Sequence, residues 1–177
     1  MNPSSISTAI LLAGLLYMLM PSAVWLVMNK QRTPTVVYWC VGGFLFGAGA
    51  ILIGMRQQVP PWMTFALANV LLMAGNVLQA QALRIELSKP FALSQMVGLI
   101  AGHAFVYEFL RLVVAHSTLR FVWGAAVLAV SLAYIAYLAG RMNQWLESQS
   151  ARWLMGIHLI GSFVLLIRLV RVAFGFS

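Results

Sequence analysis

Residues 151–174 read ARWLMGIHLIGSFVLLIRLVRVAF. The run is long and apolar enough to cross a bilayer, whose hydrocarbon core takes about 20 residues of helix. Yet it carries Arg168 and Arg171 near its far end. A guanidinium at membrane depth costs about 2.5–3.5 kcal/mol on insertion scales unless a partner or water reaches it. Glu108 is the one carboxylate that lies inside an apolar segment. Together these facts describe a helical membrane bundle that closes around its own buried charges.

Composition agrees. The 177 residues are 62% hydrophobic and 8% charged, with mean hydropathy +0.92; a soluble domain carries about 25% charged residues. The net charge of +8 sits mostly in short turns between apolar runs. It therefore reads as a topology signal and a contact for anionic lipid, not as a nucleic-acid surface. Cys40 is the single cysteine, which excludes an internal disulfide framework. There is no Asp, and Glu86, Glu108 and Glu147 are the only acidic residues.

The chain reads as one all-α domain, a polytopic bundle of six transmembrane helices over roughly 8–28, 35–55, 62–83, 91–114, 119–138 and 151–174. A polar amphipathic connector is expected over 139–150. Met1–Ser7 lacks the basic region of a signal peptide, so the first run is expected to be a retained span, kinked at Pro21. Gly43 and Gly47 form a GxxxG pair on the second span, suited to close packing inside the bundle or to a dimer face. Asn69, Asn76 and Gln79 share one face of the third, as interhelical hydrogen-bonding groups or as ligand contacts. On the fourth, Ala101, Ala104, Glu108, Arg111 and Ala115 follow helical spacing and predict the interior seam. On the sixth, Gly161, Val164, Arg168, Arg171 and Gly175 form one stripe.

Alternating spans divide the turns between two sides. Lys30, Arg32, Arg84, Lys89, Arg141 and Arg152 fall on one, and Arg56 and Arg120 on the other. By the positive-inside rule the first side is cytoplasmic and both chain ends face outward.

Depth follows from the rise of about 1.5 Å per residue. Glu108 lies about 25 Å along the fourth span and Arg168 about 24 Å along the sixth, both running outward. Asn69 falls about 12 Å below the outer surface. The arithmetic predicts a Glu108–Arg168 pair with Asn69 and Tyr107 nearby, and Arg111 and Arg171 one turn further out. A structural salt bridge is the plain reading of that pair. The surplus of cations at the outer end (Arg111, Arg120, Arg168, Arg171) suits an anionic group: a carboxylate, a phosphate or a lipid headgroup. Asn69, Tyr107, Glu108, Arg111, Arg168 and Arg171 are the candidate ligand-binding residues.

Other chemistry is sparse. His103 and His158 sit about 18 Å and 9 Å from the inner ends of their helices, which argues against a shared metal. With His116 they read as helix histidines with satisfied hydrogen bonds. There is no nucleophile motif, phosphate loop or carboxylate pair. Glu108 and His103, the nearest acid–base couple, point about 140° apart on one helix. Neither an enzyme, a metal nor a cofactor is expected.

The run Leu67-Ala68-Asn69-Val70-Leu71-Leu72-Met73-Ala74-Gly75, continuing through Gln79-Ala80-Gln81-Ala82-Leu83-Arg84 to Lys89-Pro90, resembles the third span of the N-terminal membrane sensor regions of bacterial GGDEF diguanylate cyclases. The second span, with Trp39, Gly43, Gly47 and Gly54 before Arg56 and Pro60-Pro61, is similar to that family too, as is the helix bearing Arg168 and Arg171. The resemblance implies a sensory input module in the bacterial inner membrane. It implies a homodimer coupling an outer-side or in-membrane ligand to a cytoplasmic output. With no Asp and no Gly-Gly-Asp/Glu-Glu-Phe signature, the chain carries no cyclase. It is expected to be a truncation that stops outside before a seventh span. A small-solute or lipid transporter, or a membrane scaffold, is the alternative; the polar residues cluster instead of lining a track, and no inverted repeat stands out.

Overall fold

A computed structural model describes residues 3–28, 30 and 33–174. The described chain is helical and contains no strand. The elements are α1 (Pro3–Val27), α2 (Pro34–Gly54), a π-helical turn (Met63–Leu67) that runs straight into α3 (Ala68–Glu86), α4 (Leu93–Leu112), α5 (Ser117–Leu146) and α6 (Gln149–Ala173). Six of these segments are long and apolar enough to cross a membrane. The all-α, six-span architecture read from hydropathy is the observed one.

Local chemistry sets the ends. At α2 the Thr33 hydroxyl accepts from the Val36 N–H, and Pro34 occupies the first turn, where a missing N–H costs nothing. At α5 the His116 ring accepts from the Leu119 N–H. The expected connector over 139–150 does not exist as a separate segment. Helix α5 continues to Leu146, because Ala139–Trp145 contains good helix formers and no proline, and tolerates the one glycine at Gly140. The chain reverses at Glu147, left-handed with φ 46°, and Ser148 caps α6 by accepting from the Ala151 N–H. Helices α5 and α6 thus form a hairpin with a two-residue turn.

Glycines decide how α2 packs. A Cβ at Gly47 would lie 2.8 Å from the Gly14 carbonyl oxygen of α1, and one at Gly42 would lie 2.8 Å from the Gly75 oxygen of α3. The two backbones meet α2 on opposite faces, at the close approach that small residues permit. Gly43 packs against Pro21 of α1. The Gly43–Gly47 pair is therefore spent inside the bundle and is not a dimer face.

Helices α3 and α5, not α6, are the centre of the bundle. Among the described residues α3 packs on α2, α4 and α5, whereas α6 packs on α5 alone. The core lies at one end of the bundle: Ala80, Leu83, Ile135, Leu138 and Ala139 are buried together, with Trp39, Tyr134 and Met155 around them. Polar groups complete this end. Gln81 holds the Phe91 backbone on both sides, accepting its N–H at 2.7 Å and donating to its carbonyl at 3.4 Å. The Arg84 guanidinium donates to the Tyr134 hydroxyl at 2.6 Å and lies 4.1 Å from the Phe91 ring centroid. Thr35 donates to Glu86 at 2.6 Å, tying α2 to α3.

Two faces differ from those predicted. On α4 the buried residues are Met96, His103 and Tyr107, whereas Ala101 is exposed and Ala115 falls beyond the helix, exposed in the turn before α5. Glu108 Oε2 pairs with Arg111 along their own helix, while Glu108 Oε1 is buried without a partner; the aromatic side packs inward instead. On α6 the buried face is Ala151, His158 and Ser162, and the Ser162 hydroxyl donates to the Ala129 carbonyl of α5 at 2.9 Å. Val164 points away and Gly161 touches Leu132. Gly175, the last of the predicted stripe, and Arg32 of the first turn lie outside the described residues.

Candidate functional site

Toward the end opposite the core, α3 and α5 enclose a cavity of about 380 Å³. Helix alternation brings three arginines to this end: Arg56 beyond α2, Arg120 in the first turn of α5 and Arg168 near the end of α6. All three line the cavity. The Arg120 guanidinium lies 4.7 Å from the Phe65 ring centroid and that of Arg168 5.3 Å from Phe121. A ring face offers a cation about 0.5–1 kcal/mol at an exposed site. None of the three has a carboxylate or hydrogen-bond partner among the described residues; the guanidinium bonds there belong to Arg84, Arg111 and Arg141. No carboxylate of a described residue lines the cavity.

The π-helical turn shapes one wall. Thr64 and Phe65 belong to it and Asn69 follows directly; all three line the cavity. The wide turn disturbs the regular backbone ladder, and the Asn69 amide donates to the Phe65 carbonyl at 2.6 Å. Asn69 also faces the buried Tyr107 hydroxyl of α4. Gly124 of α5 sits against both: a Cβ there would stand 3.8 Å from the Asn69 Oδ1 and 3.8 Å from a Tyr107 ring carbon. Three helices thus meet at a polar contact beside the arginines.

The predicted site is only partly this one. Asn69, Tyr107 and Arg168 come together in the cavity. Glu108, Arg111 and Arg171 do not line it. The predicted Glu108–Arg168 pair does not form. Glu108 binds Arg111 at 2.6 Å, three residues on along α4. Equal depth does not make two groups neighbours: α4 and α6 both pack on α5 and do not touch each other among the described residues. Arg171 is exposed in the last turn of α6. Glu108 therefore holds no arginine of α6, and the arginine cavity is built on different residues. Arg56 and Arg120 were legible as charges of one end, but their convergence depends on which helices are neighbours.

The histidines are not fully satisfied, contrary to expectation. His158 Nδ1 bonds the Leu154 carbonyl at 2.9 Å, but its Nε2 is buried without a partner. His103 stacks on Trp123, with centroids 6.2 Å apart, and its Nδ1 is buried without a partner. No group of three metal-ligating side chains occurs among the described residues. Comparison of the chain with protein-family models, with curated proteins and with solved structures finds no match in any of the three.

Proposed function

We propose that this chain is a membrane-embedded input module that binds an anionic or lipid-like ligand and relays its occupancy to a cytoplasmic output. The observation that carries the reading is the cavity lined by Arg56, Arg120 and Arg168, without a carboxylate among its described lining residues. Three guanidiniums bordering one cavity, with no carboxylate of a described residue beside them, repel one another. A bound carboxylate or phosphate relieves that repulsion, and a guanidinium fork matches its oxygens. The Tyr107 hydroxyl and the Asn69 amide add neutral groups for orientation. Positive-inside counting puts this end outside a bacterial inner membrane, with the N-terminus on the same side.

The diguanylate cyclase output and the homodimer come from the resemblance of the second, third and last spans. A transporter is less well supported, because Gln81, Arg84 and Tyr134 are tied into a hydrogen-bonded cluster at the other end of the bundle. The test is thermal unfolding of the purified chain with inorganic phosphate, acetate or phosphatidylglycerol, each against a neutral counterpart. An anion-specific rise in Tm is expected, lost in Arg120→Gln/Arg168→Gln. If no anion raises Tm, or the double variant responds as the parent does, the reading is overturned.

A further inference from the structure

A second, larger cavity of about 790 Å³ lies between α3, α4 and α5. Its size is within the range of about 300–1,000 Å³ typical of small-molecule sites. Its walls are mostly apolar, and it opens sideways, where Leu99 and Val130 are exposed. It exists because α4 stands off from its neighbours at Gly98 and Gly102: a Cβ at either position would meet nothing within 4 Å. The glycines of α2 are the reverse case, each filled by a neighbouring backbone or side chain.

This groove adjoins the arginine cavity: the two share Met73, Asn76, His103, Val127 and Ser131 as a common wall. In that wall His103 Nδ1 and Asn76 Oδ1 are buried without hydrogen-bond partners, in residues only 7% and 3% exposed. Buried polar atoms left unpaired are uncommon and point to a missing partner. The two cavities side by side are cationic at one end, polar at the shared wall and apolar along a lateral slot.

We infer that the arginine cavity and the groove beneath α4 are one binding site for a single-chain amphiphile with an acidic headgroup. The headgroup sits against Arg56, Arg120 and Arg168, polar atoms just below it meet His103 and Asn76, and the acyl chain lies along Gly98 and Gly102. The inference rests on reading the arginine cavity as an anion site, and it adds the chain and its path. Bulk lipid filling the slot would show no dependence on headgroup charge; an occupant held at both ends would.

The test is native mass spectrometry of the full chain released from a neutral maltoside detergent. It is titrated with oleoyl lysophosphatidate, with glycerol 3-phosphate (the same headgroup without a chain) and with mono-oleoylglycerol (the same chain without the charge). Lysophosphatidate is expected to bind one per chain and at least ten-fold tighter than either half. Gly98→Leu/Gly102→Leu, which projects into open space and keeps α4 helical, is expected to weaken lysophosphatidate at least ten-fold while leaving glycerol 3-phosphate unchanged. Val130→Trp on the opposite wall is expected to do the same and stands in if the double variant does not fold. Arg120→Gln/Arg168→Gln is expected to weaken both acidic probes. If glycerol 3-phosphate binds as tightly as lysophosphatidate, or the groove variants leave lysophosphatidate unaffected, the amphiphile site is overturned and the anion reading survives. If mono-oleoylglycerol binds as well as lysophosphatidate, or neither acidic probe binds, both fall.

Discussion

The two ends of the bundle are built from the same residue types and differ in whether those residues find one another. At the core end the Arg84 guanidinium has a hydroxyl and a ring, and Gln81 satisfies both backbone groups of Phe91. At the other end Arg120 and Arg168 have rings alone, and Arg56 borders the same empty volume. Apolar surface gains nothing by leaving lipid for a protein interior, so membrane helices are held by packing and hydrogen bonds. The core end supplies them through Gln81 and Arg84, and the arginine end gives them up. The difference teaches where stability is concentrated and where binding energy remains unspent.

The contrast can be broken by substitution. The largest effect is expected at Gln81→Leu, which leaves the Phe91 N–H and carbonyl unpaired; at about 1–3 kcal/mol per buried group, stability should fall by about 2–4 kcal/mol in reversible detergent unfolding. Tyr134→Phe removes a hydrogen bond to a charged donor, worth about 1.5–3 kcal/mol, and should lower the same midpoint by less. A much smaller cost, about 0.3–0.5 kcal/mol, is expected for Glu108→Gln, since the Glu108–Arg111 pair is a partly exposed contact along one helix. A double-mutant cycle should find coupling between Glu108 and Arg111 and none between Glu108 and Arg168. A comparably small effect, about 0.5 kcal/mol, belongs to Arg168→Gln, because only the ring contact with Phe121 is lost and no hydrogen-bond or ion-pair partner. A loss at Arg168 as large as that at Gln81 would erase the distinction between the ends.

The spans were legible because each is a run of about 20 apolar residues, a signal of composition that tertiary contacts cannot overrule. Neighbour relations were not. An apolar helix shows little difference between its faces, so the choice of seam on α4 fell to its two charges. Glu108 and Arg111 misled because charges three residues apart satisfy each other locally. Met96, His103 and Tyr107 were the better guide, spaced seven and four apart on one side. On α3 the polar stripe was a sound signal: Asn69 and Asn76 line the arginine cavity, and Gln79 is buried. The α5 extension was hidden because polar residues at a membrane boundary read equally well as loop or as helix. The π-helical turn left no trace that hydropathy registers.

That turn has a consequence for how the span is indexed. In a regular helix each residue advances the azimuth by about 100°, so every side chain above a given point is locked to every one below it. A wider turn at Met63–Leu67 uncouples the two halves. Thr64 and Phe65 take their heading from the wide turn, and Gly75 and Gln81 from the regular spiral beneath. Deleting one residue there would restore uniform pitch and swing Phe65 out from under Arg120. The local coil is thus an angular offset, which lets the upper part of a single span be aimed without disturbing the seam that holds the lower part.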